Sequence, residues 1–354
     1  MKRILYIAIF SLFISCVDEI NLTTGGNEPK LVVDAWISND PNLSYVKLYY
    51  SAPFQSGNNH LKFNIPAVNR IYVESEIQGR NFDYAPSYAN PQSENLIYIL
   101  RDNINFQAGE SYRLNILLQD GNHYRSDWQK VAPSGEILNF EYDIIEKIIF
   151  RQWINTPPYQ FLQLYLDIQA VIENPFQEEF GYYLKASGIE ELMTQSRNEF
   201  CQCVCYLDIP NINDGMNVAS VSGISGSNIK HSIGNITMGR IFRHYINLNL
   251  YTTTAEGALF LEKIQEQQKN TGSIFDPMPF KIKGNIKNLN DESEEVLGYF
   301  FTAHHTQKDD LVQRAEFFTR YRHLNFNLDV LDSVGQNCRE IYPEAVNFPP
   351  PQFR

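Results

Sequence analysis

Cysteines are the residues of this chain with the clearest chemistry. Four of them lie in its second half, at Cys201, Cys203, Cys205 and Cys338, and an oxidising compartment allows three pairings. If residues 201–205 form a strand, their cysteines share one face. A bridge from residue i to i+2 then strains the backbone, because disulfides favour Cα atoms about 5.5–6 Å apart. The sequence therefore favours a bridge from this cluster to Cys338.

A thiolate zinc site is the competing interpretation of the cluster. His231 would supply the fourth ligand, but the spacing matches neither a zinc ribbon nor a zinc finger. We therefore expect no metal and no other cofactor.

The fifth cysteine, Cys16, follows a segment typical of an export signal. Lys2 and Arg3 precede a short apolar run, and small Ser15 stands directly before the cysteine. A permanent membrane-spanning helix needs about 20 apolar residues, so this run is too short. The pattern resembles a bacterial lipoprotein signal, in which cleavage leaves a lipidated cysteine as the first residue. We expect residues 1–15 to be that signal, with an ordinary signal peptide as the alternative.

Two carboxylates come soon after this cysteine, on Asp18 and Glu19. They resemble the acidic tag that carries lipoproteins of the Bacteroidota to the outer face of the outer membrane. A solvated acidic tether is the alternative, because short polar segments near chain ends are commonly disordered. We favour a lipid-anchored protein that faces the cell exterior over one retained in the periplasm.

Composition narrows the class of protein. The 354-residue chain has a formal charge of −12, and loss of residues 1–15 removes Lys2 and Arg3 and makes it −14. Such an acidic chain repels phosphate backbones, so we expect no nucleic-acid partner. Abundant Tyr (21) and Phe (23) with scarce Met (5) favour β structure. No second apolar stretch is long enough to cross a membrane.

The pattern along the chain predicts a tether and two β-sandwich domains. Residues 16–29 are polar and read as a flexible tether from the lipid. Short strands at close spacing in residues 30–134 predict an Ig-like or transthyretin-like sandwich. Residues 135–354 predict a larger antiparallel sandwich with one packed helix near residues 254–269.

The sequence predicts one strand and one helix of the larger domain residue by residue. The strand from Gln160 to Glu173 has its even-numbered side chains, beginning with Leu162, on the core face. The helix has Thr253 as its predicted N-cap and Glu256 three residues later, which is a capping box.

Several motifs occur in an order that resembles a known family. They include SCVDEI, EPKLVVDAWI and the strand pattern FxxGxxYxLxI, followed by KGNIKN at residues 283–288 and EEVLGYF at residues 294–300. Together they resemble domain-of-unknown-function family 4249, a family of Bacteroidota lipoproteins. The resemblance spans nearly the whole chain and is weakest over residues 190–235. It implies a lipoprotein commonly encoded beside a TonB-dependent outer-membrane receptor, and it implies no catalytic residues.

The last two of these motifs are expected to form a buried hairpin. Leu297, Tyr299 and Phe301 alternate with apolar residues on the opposite face, which is typical of a central strand. Gly284 and Gly298 would permit close backbone approach.

The candidates for catalytic groups in this sequence are weak. Residues 223–227 fall short of a nucleophile elbow. His304 and His305 are adjacent, so in a strand they point to opposite faces and cannot chelate one metal together. The acidic run at residues 291–295 lacks the ligand spacing of an EF-hand and is expected to be a solvated hairpin tip. We therefore expect no catalytic residues and no enzyme.

Aromatic side chains are a possible binding resource. They could stack against a glycan or a peptide if they are exposed, although core packing is the simpler interpretation. The candidates are Tyr49, Tyr50, Tyr84, Tyr88 and Trp128.

These patterns favour a non-catalytic surface lipoprotein that serves as an accessory or ligand-capture partner of a TonB-dependent receptor in nutrient uptake. Its ligand would be a small molecule, a glycan or a peptide. A cell-surface adhesin or structural binding module is the first alternative. A surface hydrolase is the second, and it would require two carboxylates about 5–10 Å apart in a cleft.

Overall fold

The computed structural model describes residues 29–51, 65–87, 97–102, 104–152, 157–173, 180–194, 200–213, 215–219, 227–269, 281–324, 326 and 337–354. Within these residues the protein is mainly β, as predicted, with few helices. None of the helices described there is long and apolar enough to cross a membrane.

The first eight strands are short, as predicted, and in most of them buried side chains alternate with more exposed ones. In the first of them, Leu31, Val33 and Ala35 are buried on one face, as a period of two residues requires. The strands are β1 (Leu31–Ser38), β2 (Tyr45–Tyr50), β3 (Val68–Ser75), β4 (Asn81–Pro86), β5 (Ile97–Leu100), β6 (Ser111–Leu118), β7 (His123–Ser126) and β8 (Gln129–Lys130).

The rest of the chain contains longer strands and the helices. The strands are β9 (Glu136–Arg151), β10 (Tyr159–Glu173), β11 (Phe180–Met193), β12 (Val204–Ile209), β13 (Asn217–Ala219), β14 (Asn228–Thr237), β15 (Arg243–Thr254), β16 (Ile286–Asn288) and β17 (Leu297–Gln313). The helices are α1 (Ala255–Lys269), α2 (Arg314–Arg320) and α3 (Cys338–Ile341).

The described strands form two sheets. The larger runs in the order β12-β11-β15-β17-β1-β2-β5-β4-β3-β6-β7-β16, with β13 beside β11 and β8 beside β6. The smaller has the order β14-β10-β9. It packs on β11, β15 and β17 as a sandwich, whose core contains Leu166, Ile168, Leu184, Leu248 and Leu250.

The strands from β17 to β16 enclose a separate core that contains Val33, Phe82, Leu114 and Phe300. The two ends of this part of the sheet meet at Asn285. Its Nδ2 donates to the carbonyl of Phe300 at 3.0 Å, and its Oδ1 accepts from the Phe300 N–H at 2.9 Å. The expected hairpin is therefore core, but its arms do not form a ladder, because β16 pairs with β7.

Strand β17 belongs to both cores. Its first half runs parallel to β1, from Val32↔Leu297 onward, and its second half runs antiparallel to β15. Residues 286–300 were expected in the larger domain, yet Ile286 and Val296 pack in the first core. This part of the assignment is corrected, because pairing between remote segments leaves no trace in local periodicity.

This arrangement depends on Gly284 and Gly298, where the backbone segments approach each other closely, as predicted. Gly298 has φ of +97°, and a Cβ there would lie 1.9 Å from the carbonyl oxygen of Val33. A Cβ on Gly284 would lie 1.9 Å from the carbonyl oxygen of Gly298. No side chain fits at either position without moving backbone.

Helix α1 occupies the predicted place with a different cap. The Oγ1 of Thr254, not of Thr253, accepts from the N–H of Gly257 at 3.1 Å. The sequence predicts a buried stripe of Ala258, Leu261 and Ile264 with Phe260 beside them. Ala258, Phe260 and Leu261 are buried, and Ile264 is half-buried. They pack in a cluster with Trp36 and Phe301, whose ring centroids lie 4.1 Å apart.

Replacing Gly298 should test whether backbone contact or φ alone demands glycine. We expect Gly121→Ala, at φ of +94° with no atom within 4 Å of the added Cβ, to lower the free energy of unfolding by about 1–2 kcal/mol. Gly298→Ala should cost about 3 kcal/mol or more beyond that, because Val33 must move. Urea denaturation measures both, and equal losses would contradict the proposed constraint.

Candidate interaction surface

The long hairpin of β9 and β10 extends past the rest of its sheet. Its strands pair from Glu136↔Glu173 to Arg151↔Tyr159. The third strand, β14, pairs with β10 only from Tyr165 to Glu173. Among the described residues, the outer part of the hairpin is therefore a two-stranded ribbon.

The core face of the hairpin carries exposed apolar side chains on the outer part of this ribbon, beyond the exposed Glu146. Nearer its base, three side chains on that face pack against the second core, namely Phe140, Tyr142 and Ile144. Opposed residues on paired strands share a face, so the exposed Glu146 with its partner Leu164 comes next, then Ile148 with Leu162, and then Phe150 with Gln160. The exposed fractions of Ile148, Leu162 and Phe150 are 61%, 54% and 67%. We name Ile148, Phe150 and Leu162 the apolar overhang.

The overhang corrects one expectation and adds a surface that the sequence analysis missed. Leu162 lies on the predicted face but is more than half exposed, because periodicity gives a face and not what covers it. The signal was present in Ile148, Ile149 and Phe150, three consecutive apolar residues that follow Glu146 and Lys147 and therefore occupy both faces of the strand.

Strand β9 is also the edge of its sheet. The Nζ of Lys308 donates to the carbonyls of Ile137 at 3.1 Å and Leu138 at 2.6 Å, which covers the start of this edge. No other described strand pairs along the outer side of β9. Such an edge offers backbone groups to an added strand.

Polar contacts fix the base of the hairpin. The hydroxyl of Tyr142 donates to Asp310 on β17, and burial together with this contact raises the pKa of Tyr142. Lys230 on β14 pairs with Glu141 at 2.6 Å. These contacts hold the orientation in which the ribbon carries the overhang.

The predicted lipidation residue and export tag lie outside the described residues. These are Cys16, Asp18 and Glu19. The described chain begins at Pro29.

The other four cysteines form two disulfides, Cys205 with Cys338 and Cys201 with Cys203. The Cys205–Cys338 bond is of the kind that the sequence favoured, because it joins the cluster at residues 201–205 to Cys338. The objection to an i to i+2 bridge is wrong here, because Cys201 and Cys203 precede β12 instead of lying in it. Their Cα atoms are 5.1 Å apart.

The proposed zinc ligands do not come together. All four sulfur atoms are bonded in disulfides, and the Nε2 of His231 contacts Asn217. Within the described ranges no group of His, Cys, Asp and Glu is arranged to hold a metal.

The aromatic candidates divide between core and surface. Tyr84 is buried and its hydroxyl donates to the carbonyl of Trp36 at 3.1 Å, so it is not a stacking platform. Trp128 is 36% exposed, with the Arg113 guanidinium 4.3 Å from its ring centroid. Tyr88 lies outside the described residues, and two others are half-buried on β2, namely Tyr49 and Tyr50.

The acidic run differs in part from a solvated tip. Glu294 accepts from the Tyr124 hydroxyl at 2.9 Å, and Glu295 pairs with Lys281 at 2.7 Å and also with Lys30. These carboxylates therefore tie the loop to the first part of the chain, while the preceding residues 291–293 are exposed.

The adjacent histidines serve different neighbours, as expected. The Nε2 of His305 lies 2.8 Å from the side chain of Asn249, whereas the ring of His304 contacts Phe106 edge-on. Residues 223–226 of the incomplete nucleophile elbow lie outside the described residues.

A family comparison agrees with the motif order. The model of Domain of unknown function (DUF4249) matches residues 17–309, which is more than half of the chain. The chain belongs to the DUF4249 family. No curated protein matches it. The overhang lies inside the matched residues of this DUF4249 protein, whereas Arg314 and Cys338 follow them.

The DUF4249 chain also contains a buried charged cluster that the sequence analysis missed. Arg314 is fully buried, and its Nη1 donates to Glu190 at 2.9 Å. Glu190 also accepts from Arg240 at 2.6 Å. Burial raises the pKa of Glu191, but hydrogen bonds from Arg243 lower it overall. The cluster joins β11, β15 and α2.

His244 lies beside this cluster and is 2% exposed. Neither ring nitrogen has a hydrogen-bond partner among the described residues. Burial lowers its pKa to about 4, with Arg314 and Arg240 acting in the same direction and Glu190 against them. The neutral ring is therefore the folded form at neutral pH.

Acid should destabilise the DUF4249 chain through His244. Its pKa is lowered from 6.5 to about 4 in the folded state, so the unfolded chain binds the proton more tightly. This stability is fully present above pH 6.5 and falls as the pH drops towards 4, by up to about 3 kcal/mol. We expect His244→Phe to flatten the pH dependence of the free energy of unfolding over this window. The control His323→Gln, at an exposed ring, should retain it, and an unchanged slope in His244→Phe would refute the assignment.

Proposed function

We propose that this protein is a non-catalytic accessory lipoprotein on the outer face of the outer membrane. It captures a ligand for, or docks on, the extracellular side of a TonB-dependent receptor in nutrient uptake. The sequence around Cys16, with Asp18 and Glu19, supports the location. The apolar overhang supports the docking, and it is the observation that carries the proposal.

The overhang suits a protein partner. Soluble monomers rarely expose contiguous apolar patches without a binding role, and here three apolar side chains share one face of a ribbon. The adjoining edge of β9 offers backbone groups to the same partner. The net charge of −14 after loss of residues 1–15 disfavours an anionic lipid surface as the occupant.

A lipid tether makes a modest interface sufficient. Thirteen residues, 16–28, separate the described chain from the start of the predicted mature protein, and they span at most about 45 Å when extended. A receptor within this reach meets the protein at a high effective concentration. The overhang therefore needs only moderate affinity to remain occupied.

Capture of the receptor tests the role of the overhang. The tagged, lipidated protein is purified from outer membranes solubilised in mild detergent, and bound proteins are identified by mass spectrometry. We expect a TonB-dependent receptor in stoichiometric amount with the wild type and at least tenfold less with Ile148→Glu/Phe150→Glu. The free energy of unfolding should change by less than about 1 kcal/mol, because both side chains are exposed.

The matched control is Ile77→Glu, at an isoleucine that is 74% exposed in the first part of the chain. It should leave receptor recovery unchanged. Recovery of the wild type alone, with surface exposure confirmed, would contradict the accessory role. Binding to host or matrix components without the receptor would favour the adhesin, and recovery only as a multimer of this chain would assign the overhang to a second copy.

The export tag is tested separately. Asp18→Asn/Glu19→Gln should retain the acyl chains, which the intact mass of the protein shows. Because the acidic signal is lost, this variant should be protected from protease added to whole cells. Glu262→Gln/Glu266→Gln on α1 is the charge-matched control and should remain protease-accessible. Cys16→Ala should remove the acyl chains from the mass. Equal digestion of the first two variants would contradict the tag.

A further inference from the structure

The two disulfides differ in what they contribute to the fold. Cys205 and Cys338 are separated by 133 residues, whereas Cys201 and Cys203 are separated by two. In the chain-entropy account, stabilisation grows with the logarithm of the closed loop. The long-range bond therefore stabilises the fold, and the short-range bond restricts the unfolded chain little.

They also differ in access. Cys205 and Cys338 are completely buried, whereas Cys201 and Cys203 are half-buried. Thiol–disulfide exchange requires a thiolate to reach one of the sulfur atoms. Of these two bonds, an external thiol reaches the Cys201–Cys203 bond more readily in the folded protein.

The residue enclosed by the short disulfide holds the C-terminal segment, residues 337–354. The Gln202 N–H donates to the side chain of Asn337 at 3.2 Å, and its carbonyl accepts from the N–H of Cys338 at 3.0 Å. Its side-chain oxygen accepts from Asn347. The disulfide closes a three-residue loop, which limits the backbone angles of Gln202 and so helps to keep these three contacts in place.

The C-terminal segment covers the edge of the large sheet. Strand β12 is the last strand at that end of the order. Tyr206 in β12 exchanges two backbone hydrogen bonds with Val346, and Phe353 packs on Tyr206 and Arg243. An uncovered edge strand would offer backbone groups to other chains.

We propose that the Cys201–Cys203 disulfide is a thiol-exchange site for a dithiol reductant and that its state sets how firmly the C-terminal segment is held on β12. One thiolate of the dithiol attacks either sulfur, the Cys201–Cys203 bond breaks, and the released cysteine takes up a proton. The second thiol then displaces the mixed disulfide. Two electrons and two protons reach the protein, and the dithiol leaves as its disulfide.

Reduction at this site loosens the Gln202 contacts without freeing the segment. The buried Cys205–Cys338 bond remains, so residues near Cys338 stay attached to β12. The edge around Val346 then opens and closes while its cover stays tethered. The site thereby couples the redox state of the surroundings to exposure of a strand edge.

The first test uses the folded, full mature chain in buffers of graded reduced-to-oxidised dithiothreitol ratio. Free thiols are trapped by alkylation and assigned by peptide mass spectrometry. We expect Cys201 and Cys203 to be half-reduced at a ratio at least tenfold lower than Cys205 and Cys338. Simultaneous labelling of all four cysteines would overturn the proposal.

The second test measures hydrogen exchange of residues 337–347 at a ratio that reduces only the short bond. We expect exchange to become at least threefold faster there and to stay unchanged in β15. Cys201→Ser/Cys203→Ser should show the faster exchange without reductant, and Gln202→Ala should show part of it. If reduction leaves exchange of this segment unaltered, the short disulfide does not control it.

Discussion

The packing of β17 against β1 is the constraint on which the two cores depend. One strand supplies Phe300 to the first core and Val312 to the second. This requires its backbone to come so close to Val33 that only glycine fits at Gly298. Because the contact is between backbone atoms, no choice of neighbouring side chains relieves it. The relative position of the two cores therefore follows from the path of one strand.

The position of the apolar overhang is a consequence of that path. Strand β17 carries Asp310, which holds Tyr142 at the base of the hairpin, and Lys308, which covers the beginning of β9. The overhang thus stands on a base fixed to the shared strand. An apolar surface presented from a fixed support loses less entropy on binding than one on a free loop, which is why we favour it as the docking surface.

At the β12 end of the large sheet, several contacts hold the edge closed. A buried disulfide, the Tyr206–Val346 bridge and the charged cluster around Arg314 all lie near β12 and its neighbours. Arg314 and Glu190 are buried together, so each compensates for the cost of burying the other, and loss of either would leave an unpaired charge. The two edges thus differ: the C-terminal segment covers the backbone of β12, whereas no described strand pairs along the outer side of β9.

The sequence alone determined the β class, the register of faces in strands such as β10, the buried stripe of α1 and the membership of a family. These depend on local periodicity and on motif order, which a chain displays without being folded. It did not determine the parallel pairing of β1 with β17, the exposure of Leu162 or the burial of Tyr84, because these depend on which remote segments cover a face. The pairing of Cys201 with Cys203 belongs with them, since it required knowing that β12 begins after both residues. Tertiary structure decided these points because packing joins segments whose sequences carry no mark of each other.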